Sequence, residues 1–210
     1  MDNRLGWILM EMVSPICFAF FFLKGDNEKS WPMWFFFSLW ILHYINRSII
    51  YPFRTKTTGK QIPVLIVLFA IIFNSVNGWS NGYYLGALGP VYSIDWFYSP
   101  PFIIGSILFF SGAIINIKTD NYLLQLRKPG DKEYAIPKGG LFKYISCPNH
   151  FGEILEWLGF AVLCWNIAAA GFAIWTAANL IPRAMSHHKW YLKNFEKYPA
   201  DRKAVIPFLI

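Results

Sequence analysis

Apolar residues run along this chain in six long blocks, near positions 5–23, 31–53, 61–76, 99–118, 150–166 and 167–185. Each is long enough to be a buried or membrane-spanning helix rather than a strand. The last two are separated only by a short break around Trp165–Asn166. Between the blocks lie stretches marked by proline, glycine and charge. The pattern predicts an all-α integral membrane protein of six helices, folded as a single domain over residues 1–210.

Charge turns this pattern into a topology. With the N-terminus on the cytoplasmic side, six spans place sixteen of the nineteen basic residues in cytoplasmic segments. Only Lys24 and Lys29 fall outside, and Arg47 lies within a span. That bias is the one membrane insertion favours, and it puts both termini in the cytoplasm. A net charge of +7 therefore needs no nucleic-acid partner. A composition of 55% hydrophobic, 20% aromatic and 15% charged residues fits a membrane helix bundle with aromatic anchors better than a soluble domain. Cys17, Cys147 and Cys164 fall in no CxxC or Cys/His spacing, so neither a disulfide framework nor a metal site is expected.

Polar groups inside apolar blocks are costly and tend to mark function. Glu11 sits in the first block, facing either a cavity or the interface near the helix start. The second block packs His43, Tyr44, Asn46, Arg47 and Tyr51 into nine residues. Tyr44, Arg47 and Tyr51 have i, i+3, i+7 spacing and share a helix face, either as helix glue or as a ligand-facing stripe. After the third block, FNSVNGWSNGYYLGALGP reads as a helix end and turn, with Asn74, Asn77 and Asn81 acting chiefly as caps. Glu153 and Glu156 lie at i, i+3 in the fifth block.

The stretch from Asn116 to Glu156 is the polar centre of the chain. Pro129–Gly130 signals a turn, and Gly139–Gly140 permits close backbone approach. Arg127, Lys128, Lys138 and Lys143 stand beside those turns. Forked guanidinium groups with exposed backbone donors suit phosphate, although a plain positive-inside loop has the same composition. Further on, Arg183, His187 and Tyr191 follow i, i+4, i+8 spacing. Adjacent His187 and His188 point about 100° apart on a helix and make a poor metal site. The tail YLKNFEKYPADRKAVIPFLI is amphipathic and is expected to dock back on the cytoplasmic face.

Three segments, NIKTDNYLLQLRKPGDKEYAIPKGGLFKYIS, NHFGEILEWLGF and RAMSHHKWYLKNFEKYPADRKAVIPFLI, closely resemble the steroid 5α-reductases. WILMEM around Glu11, HYINRSIIYP around Tyr44 and NGYYL at 81–85 match more weakly. The resemblance implies a bundle of six to seven transmembrane helices enclosing a cofactor and substrate cavity. It implies an NADPH-dependent reductase that saturates the Δ4 bond of a 3-oxo steroid, with residues from about 100 to 210 forming the cofactor-binding part. Carried over by position, Glu11 and Tyr44 look like the pair on the 3-keto oxygen, Tyr44 donating and a protonated Glu11 assisting. Asn116, Asp120, Arg127, Tyr134, Asn149, Glu153, Arg183, His187 and Tyr191 look like cofactor contacts. Arg127 and Arg183 are the leading partners for the 2′-phosphate that distinguishes NADPH.

Two features depart from the family pattern. The chain begins at what would be the second of seven helices, and Lys60 replaces an arginine in the loop after Tyr51, offering a point charge instead of a fork. The alternatives are a reductase of a polyprenol or enoyl thioester, an S-adenosylmethionine-dependent methyltransferase of the isoprenylcysteine type, or a lipid-binding protein without catalysis. The expected setting is a monomer with a lipophilic enone substrate, in a bacterial inner membrane in preference to the endoplasmic reticulum.

Overall fold

The computed structural model describes residues 1–55, 59–126 and 135–210. Six helices carry the described fold. They are α1 (Asn3–Lys24), α2 (Trp31–Ile45), α3 (Val64–Tyr83), α4 (Pro100–Leu126), α5 (Pro148–Cys164) and α6 (Ile167–Asn194). A π turn, Asn46–Ile50, extends α2 into a last turn at Tyr51–Arg54, and a second π turn, Tyr84–Leu88, extends α3. Three of these elements are long and apolar enough to cross a membrane, namely α1, α3 with its π turn, and α4. By internal packing the chain divides into Met1–Phe102 and Ile103–Ile210.

In the first part, α1 and α3 meet along glycines. A Cβ on Gly78 would lie 2.5 Å from the carbonyl oxygen of Ser14, and one on Gly86 2.6 Å from that of Phe21. Gly82, between them, faces the backbone of Phe18. The three glycines are four residues apart, so they form one ridge that lets two helix backbones touch. This corrects the expectation that α3 ends near residue 76. Glycine and asparagine terminate helices in water, but where the alternative is lipid every backbone amide must stay bonded, so the helix continues. The large side chains of α3 point the other way: Leu65, Phe69, Ile72 and Val76 are exposed, while Asn74, Asn77 and Asn81 are buried.

An aromatic cluster fills the space between α1 and α2. Phe18 stacks on Trp40 at 4.6 Å and on Phe22 at 6.0 Å, and Phe22 meets Trp34 edge-on at 5.5 Å. The turn after α1 is closed by polar groups. Asn27 Nδ2 donates to the carbonyl of Gly89 at 2.9 Å, and Lys29 Nζ donates to the carbonyls of Gly25, Asn27 and Gly86. The backbone of Lys60 accepts from Asn3 N at 3.1 Å, tying the start of α1 to the strand-like residues before α3.

In the second part, α4 and α5 repeat the glycine device in a paired form. A Cβ on Gly112 would lie 2.6 Å from the carbonyl oxygen of Gly152, and one on Gly152 2.7 Å from that of Gly112. One on Gly159 would lie 2.9 Å from the carbonyl oxygen of Gly105. Gly105 and Gly112 are seven apart on α4, as Gly152 and Gly159 are on α5, so antiparallel helices meet glycine to glycine at two levels. Trp165, in the left-handed conformation (φ 48°), ends α5, and Asn166 Oδ1 accepts from Ala169 N at 2.8 Å to start α6. The tail docks as anticipated. Ser146 N donates to the carbonyl of Lys203 at 2.8 Å and Cys147 N to that of Ala204 at 3.0 Å. Ala204 and Val205 then join Cys147 and Ala184 in a small core.

These contacts predict sharply different outcomes for two glycines. Gly152→Val should force α4 and α5 apart and cost about 3 kcal/mol or more. Gly171, with nothing within 4 Å of a Cβ, should accept alanine with no loss or a gain of roughly 0.5–1 kcal/mol. Thermal unfolding of the two variants in detergent would check both.

Candidate functional site

The candidate residues fall into two groups, each within one part of the chain. In Met1–Phe102 the centre is Tyr44, near the end of α2 and only 3% exposed. Its ring packs on Trp40 at 5.5 Å and against His43 at 5.2 Å. Asn77 Nδ2 donates to Tyr44 Oη at 3.5 Å. Asn81 Nδ2 donates to both the backbone carbonyl and Oδ1 of Asn77, each at 3.1 Å. Glu11 is half-buried on α1. Pro15, one turn later, withdraws the amide that would otherwise close on the carbonyl of Glu11. Asn74 Nδ2 donates to the neighbouring carbonyl of Met10 at 2.6 Å. Asn74 and Asn77 are therefore buried links between helices, and Asn81 braces Asn77 within α3, where the sequence pattern favours capping.

Arg47 and Tyr51 make a separate contact. The Arg47 guanidinium lies over the Trp7 ring at 5.1 Å and the Tyr51 ring at 5.4 Å, and the Trp7 indole donates to the Arg47 carbonyl at 3.2 Å. The π turn between Tyr44 and Tyr51 adds a residue to the helical repeat, which shifts the face inferred from i, i+3, i+7 spacing. Spacing alone does not show this cation–π packing.

In Ile103–Ile210, three of the expected residues come together. Asn149 Nδ2 donates to Asp120 Oδ1 at 3.1 Å, and Asn116 Nδ2 donates to the carbonyl of Asn149 at 3.0 Å. Asn116 and Asp120 are both buried at the polar end of α4, one turn apart. Glu153 is half-buried one turn beyond Asn149, and Glu156 is buried beside Gly112. Arg183 and His187 line an open groove of about 430 Å³ on α6, together with Pro182, Ser186 and Trp190. Tyr191 turns towards the tail, its ring stacked on Tyr198 at 5.0 Å. Arg127, Tyr134, Lys128 and Pro129–Gly130 lie outside the described residues. Gly139 and Gly140 have φ of 84° and 50°, and nothing stands within 4 Å of a Cβ at either. Conformation rather than crowding requires glycine there.

Sequence reasoning missed two residues. Trp190 completes the groove beside Arg183 and His187, but tryptophan near a span end reads as an interfacial anchor. Arg202 is 5% exposed, with Nη2 donating to the Pro137 carbonyl at 3.0 Å and its face 5.0 Å from the Tyr198 ring. Its Nε and Nη1 have no hydrogen-bond partner among the described residues. A basic tail residue gives no sequence signal of such burial.

The profile of the family described as 3-oxo-5-alpha-steroid 4-dehydrogenase matches residues 60–210. The chain is 41% identical over 209 residues to 3-oxo-5-alpha-steroid 4-dehydrogenase 1 of Homo sapiens, covering 98% of this chain and 80% of that protein. It is 44% identical to the protein of the same name from Bos taurus, covering 99% and 81%, and 41% identical to steroid 5-alpha-reductase DET2 of Solanum lycopersicum, covering 98% and 80%. This chain belongs to the 3-oxo-5-alpha-steroid 4-dehydrogenase family. With its three candidate spans it is a multi-pass membrane protein of that family, and the oxidoreductase class read from the sequence is the family's own.

In this 3-oxo-5-alpha-steroid 4-dehydrogenase family member, a polar latch holds the tail against the start of α5. His188 Nδ1 lies 2.7 Å from Ser146 Oγ, which lies 2.6 Å from Tyr198 Oη. His187 and His188 stand in the polar last turns of α6, beyond the apolar block that ends at 185. Desolvation, with Arg183 adding to it, holds His187 below the usual histidine range. Desolvation, then Lys203 and Arg202, does the same to His188. Burial pushes the Cys147 thiol up to about 12, so it is a packing group and not a nucleophile.

A histidine held low favours the folded state while neutral. The stability it contributes is present above the unfolded value of about 6.5 and is lost as pH falls through the folded one. Lowering pH from about 8 to about 5.5 should loosen the tail. Hydrogen exchange at the amides of Ser146, Cys147 and Lys203, corrected for intrinsic rate, should show the loss, and His188→Asn should flatten it.

Proposed function

We propose that this protein is an NADPH-dependent membrane reductase that saturates the Δ4 C=C bond of 3-oxo-Δ4-steroids such as testosterone or progesterone. The observation that carries this reading is some 40% identity to steroid 5-alpha-reductases over nearly the whole chain. The reaction adds a hydride to C5 and a proton to C4, and negative charge builds on the 3-oxo oxygen between the two. A donor aimed at that oxygen lowers the barrier as an oxyanion hole does. Tyr44 is that donor, and Glu11, in its protonated form, donates beside it or orients it. Burial of Tyr44 among Trp40 and His43 supports the assignment, because a hydrogen bond is worth more in a site that excludes water.

The residues of Ile103–Ile210 suit the cofactor. Arg183 and His187 bring cationic or donor groups to a groove with a flat indole in its wall. Gly139 and Gly140 leave unobstructed backbone, and Arg202 holds two guanidinium nitrogens, Nε and Nη1, without partners among the described residues. Asn116, Asp120, Asn149 and Glu153 supply amides and carboxylates for ribose hydroxyls and a carboxamide. Arg183 and Arg127 would hold phosphate, and Tyr134, His187 and Tyr191 would complete the contacts. NADPH, when bound, supplies the hydride. The chain's part is to fix the enone and the charge on its oxygen, in a setting that excludes water.

Detergent-purified protein should reduce testosterone or progesterone with NADPH. Tyr44→Phe and Glu11→Gln should each lower kcat by about 100-fold while leaving NADPH affinity nearly unchanged. Arg183→Ala should instead raise the Kd for NADPH about tenfold or more. Full activity in both the Tyr44 and Glu11 variants would overturn the assignment. Stabilisation by S-adenosylmethionine in place of NADPH would point to methyl transfer.

A further inference from the structure

The buried amides of α3 bear on which way the Tyr44 hydrogen bond runs. Amide nitrogen and oxygen are told apart by their partners. A backbone carbonyl can only accept, so the Asn81 atom that meets the carbonyl of Asn77 is Nδ2. The same Nδ2 lies 3.1 Å from the Asn77 side chain, so the atom it meets there must be Oδ1. Asn77 is then fixed with Nδ2 on the other side, 3.5 Å from Tyr44 Oη. Tyr44 accepts this bond, and its single proton is directed to another partner. Asn77 is 5% exposed and Asn81 2%, so water does not compete for either amide.

We propose that Asn77 and Asn81 are positioning residues for saturation of the enone C=C bond. Anchored on the backbone of α3, they make Tyr44 an obligate donor towards the substrate's 3-oxo oxygen. This rests on the reading of Tyr44 as the donor to that oxygen. The chain of donation runs Asn81 to Asn77 to Tyr44 to the ketone. Each bond polarises the next, so a phenol that accepts from Asn77 donates more strongly at its far side. The arrangement also explains why three asparagines occupy buried positions in a helix whose exposed positions include Leu65, Phe69 and Ile72. Asn74 is used on the α1 backbone, Asn77 on Tyr44, and Asn81 on Asn77.

The test is a double-mutant cycle on steroid reduction, with kcat, steroid KM and NADPH Kd measured for each variant and melting temperature as a check of folding. Asn77→Leu should lower kcat about tenfold with little change in NADPH Kd, a part of the 10²–10³ typical of losing an oxyanion donor itself. Asn77→Asp, of the same shape, should lower kcat at least as far, because a carboxylate accepts the phenol's proton instead of donating to its oxygen. In a Tyr44→Phe background both losses should vanish, which a merely structural role for Asn77 would not produce. Equal losses in the two backgrounds would overturn the relay, as would full kcat in both Asn77 variants when Tyr44→Phe is impaired. Full kcat in Tyr44→Phe would overturn the Tyr44 assignment itself and the relay with it.

Discussion

Backbone-to-backbone contact at glycine is the constraint on which the rest of this structure depends. In water, helices associate because apolar side chains leave solvent, but lipid tails are as apolar as leucine and that force is absent. What remains is close packing and hydrogen bonding, and both improve as helix axes approach. Gly78, Gly82 and Gly86 against α1, and the pairs Gly105–Gly159 and Gly112–Gly152, provide that approach. On α3 the large side chains Leu65, Phe69, Ile72 and Val76 are correspondingly turned outward.

The same local arrangement occurs in both parts of the chain. One turn from Gly78, Asn74 donates to the Met10 carbonyl on the partner helix, and one turn from Gly112, Asn116 donates to the Asn149 carbonyl on its partner. A short amide side chain reaches an opposing backbone only where the helices already touch, so each bond depends on the glycine beside it. Such bonds are worth about 1 kcal/mol apiece, so they add less to stability than to register. Breaking the glycine contact would free the asparagine, and a freed amide in an apolar interior carries its own cost of desolvation. Packing and polar geometry are thus coupled here, and a change at glycine reaches the residues with chemistry in them.

Much of this was legible in the sequence, and the rest failed for identifiable reasons. Six apolar blocks marked six helices, and Trp165–Asn166 marked the break between the last two. Of the nine residues that the family resemblance points to as cofactor contacts, Asn116, Asp120 and Asn149 share a hydrogen-bond network. The end of α3 is not legible, because Gly78, Asn81 and Gly82 stop helices by rules that hold in water. Asn74 and Asn77, which bond to other helices, resemble caps in sequence for the same reason. Glycines seven apart are visible on the page, but which helix they face is a tertiary fact. Trp190 carries no such signal, because tryptophan has an ordinary explanation at a membrane interface. Arg202 was passed over because no local pattern reveals that a tail residue folds under Tyr198.

One consequence links the packing to the chemistry. On α3 the glycines at 78, 82 and 86 fix how the helix is rolled against α1, since any rotation would lift the glycine ridge off the backbone it touches. Asn77 and Asn81 are each one residue before a glycine of that ridge, about 100° round the helix from it. Fixing the roll therefore fixes the direction in which the two amides point, and Tyr44 lies in that direction. The π turn after Tyr44 helps from the other side, because Ser48 inside it donates back to the Tyr44 carbonyl at 2.5 Å and pins the helix at the level of the phenol. The hydroxyl is therefore held by two helices whose orientations are set by contacts with no chemistry of their own. Substitution at Gly78 or Gly82 need not unfold the protein to impair it, since a small rotation of α3 would turn the amides away from Tyr44 first.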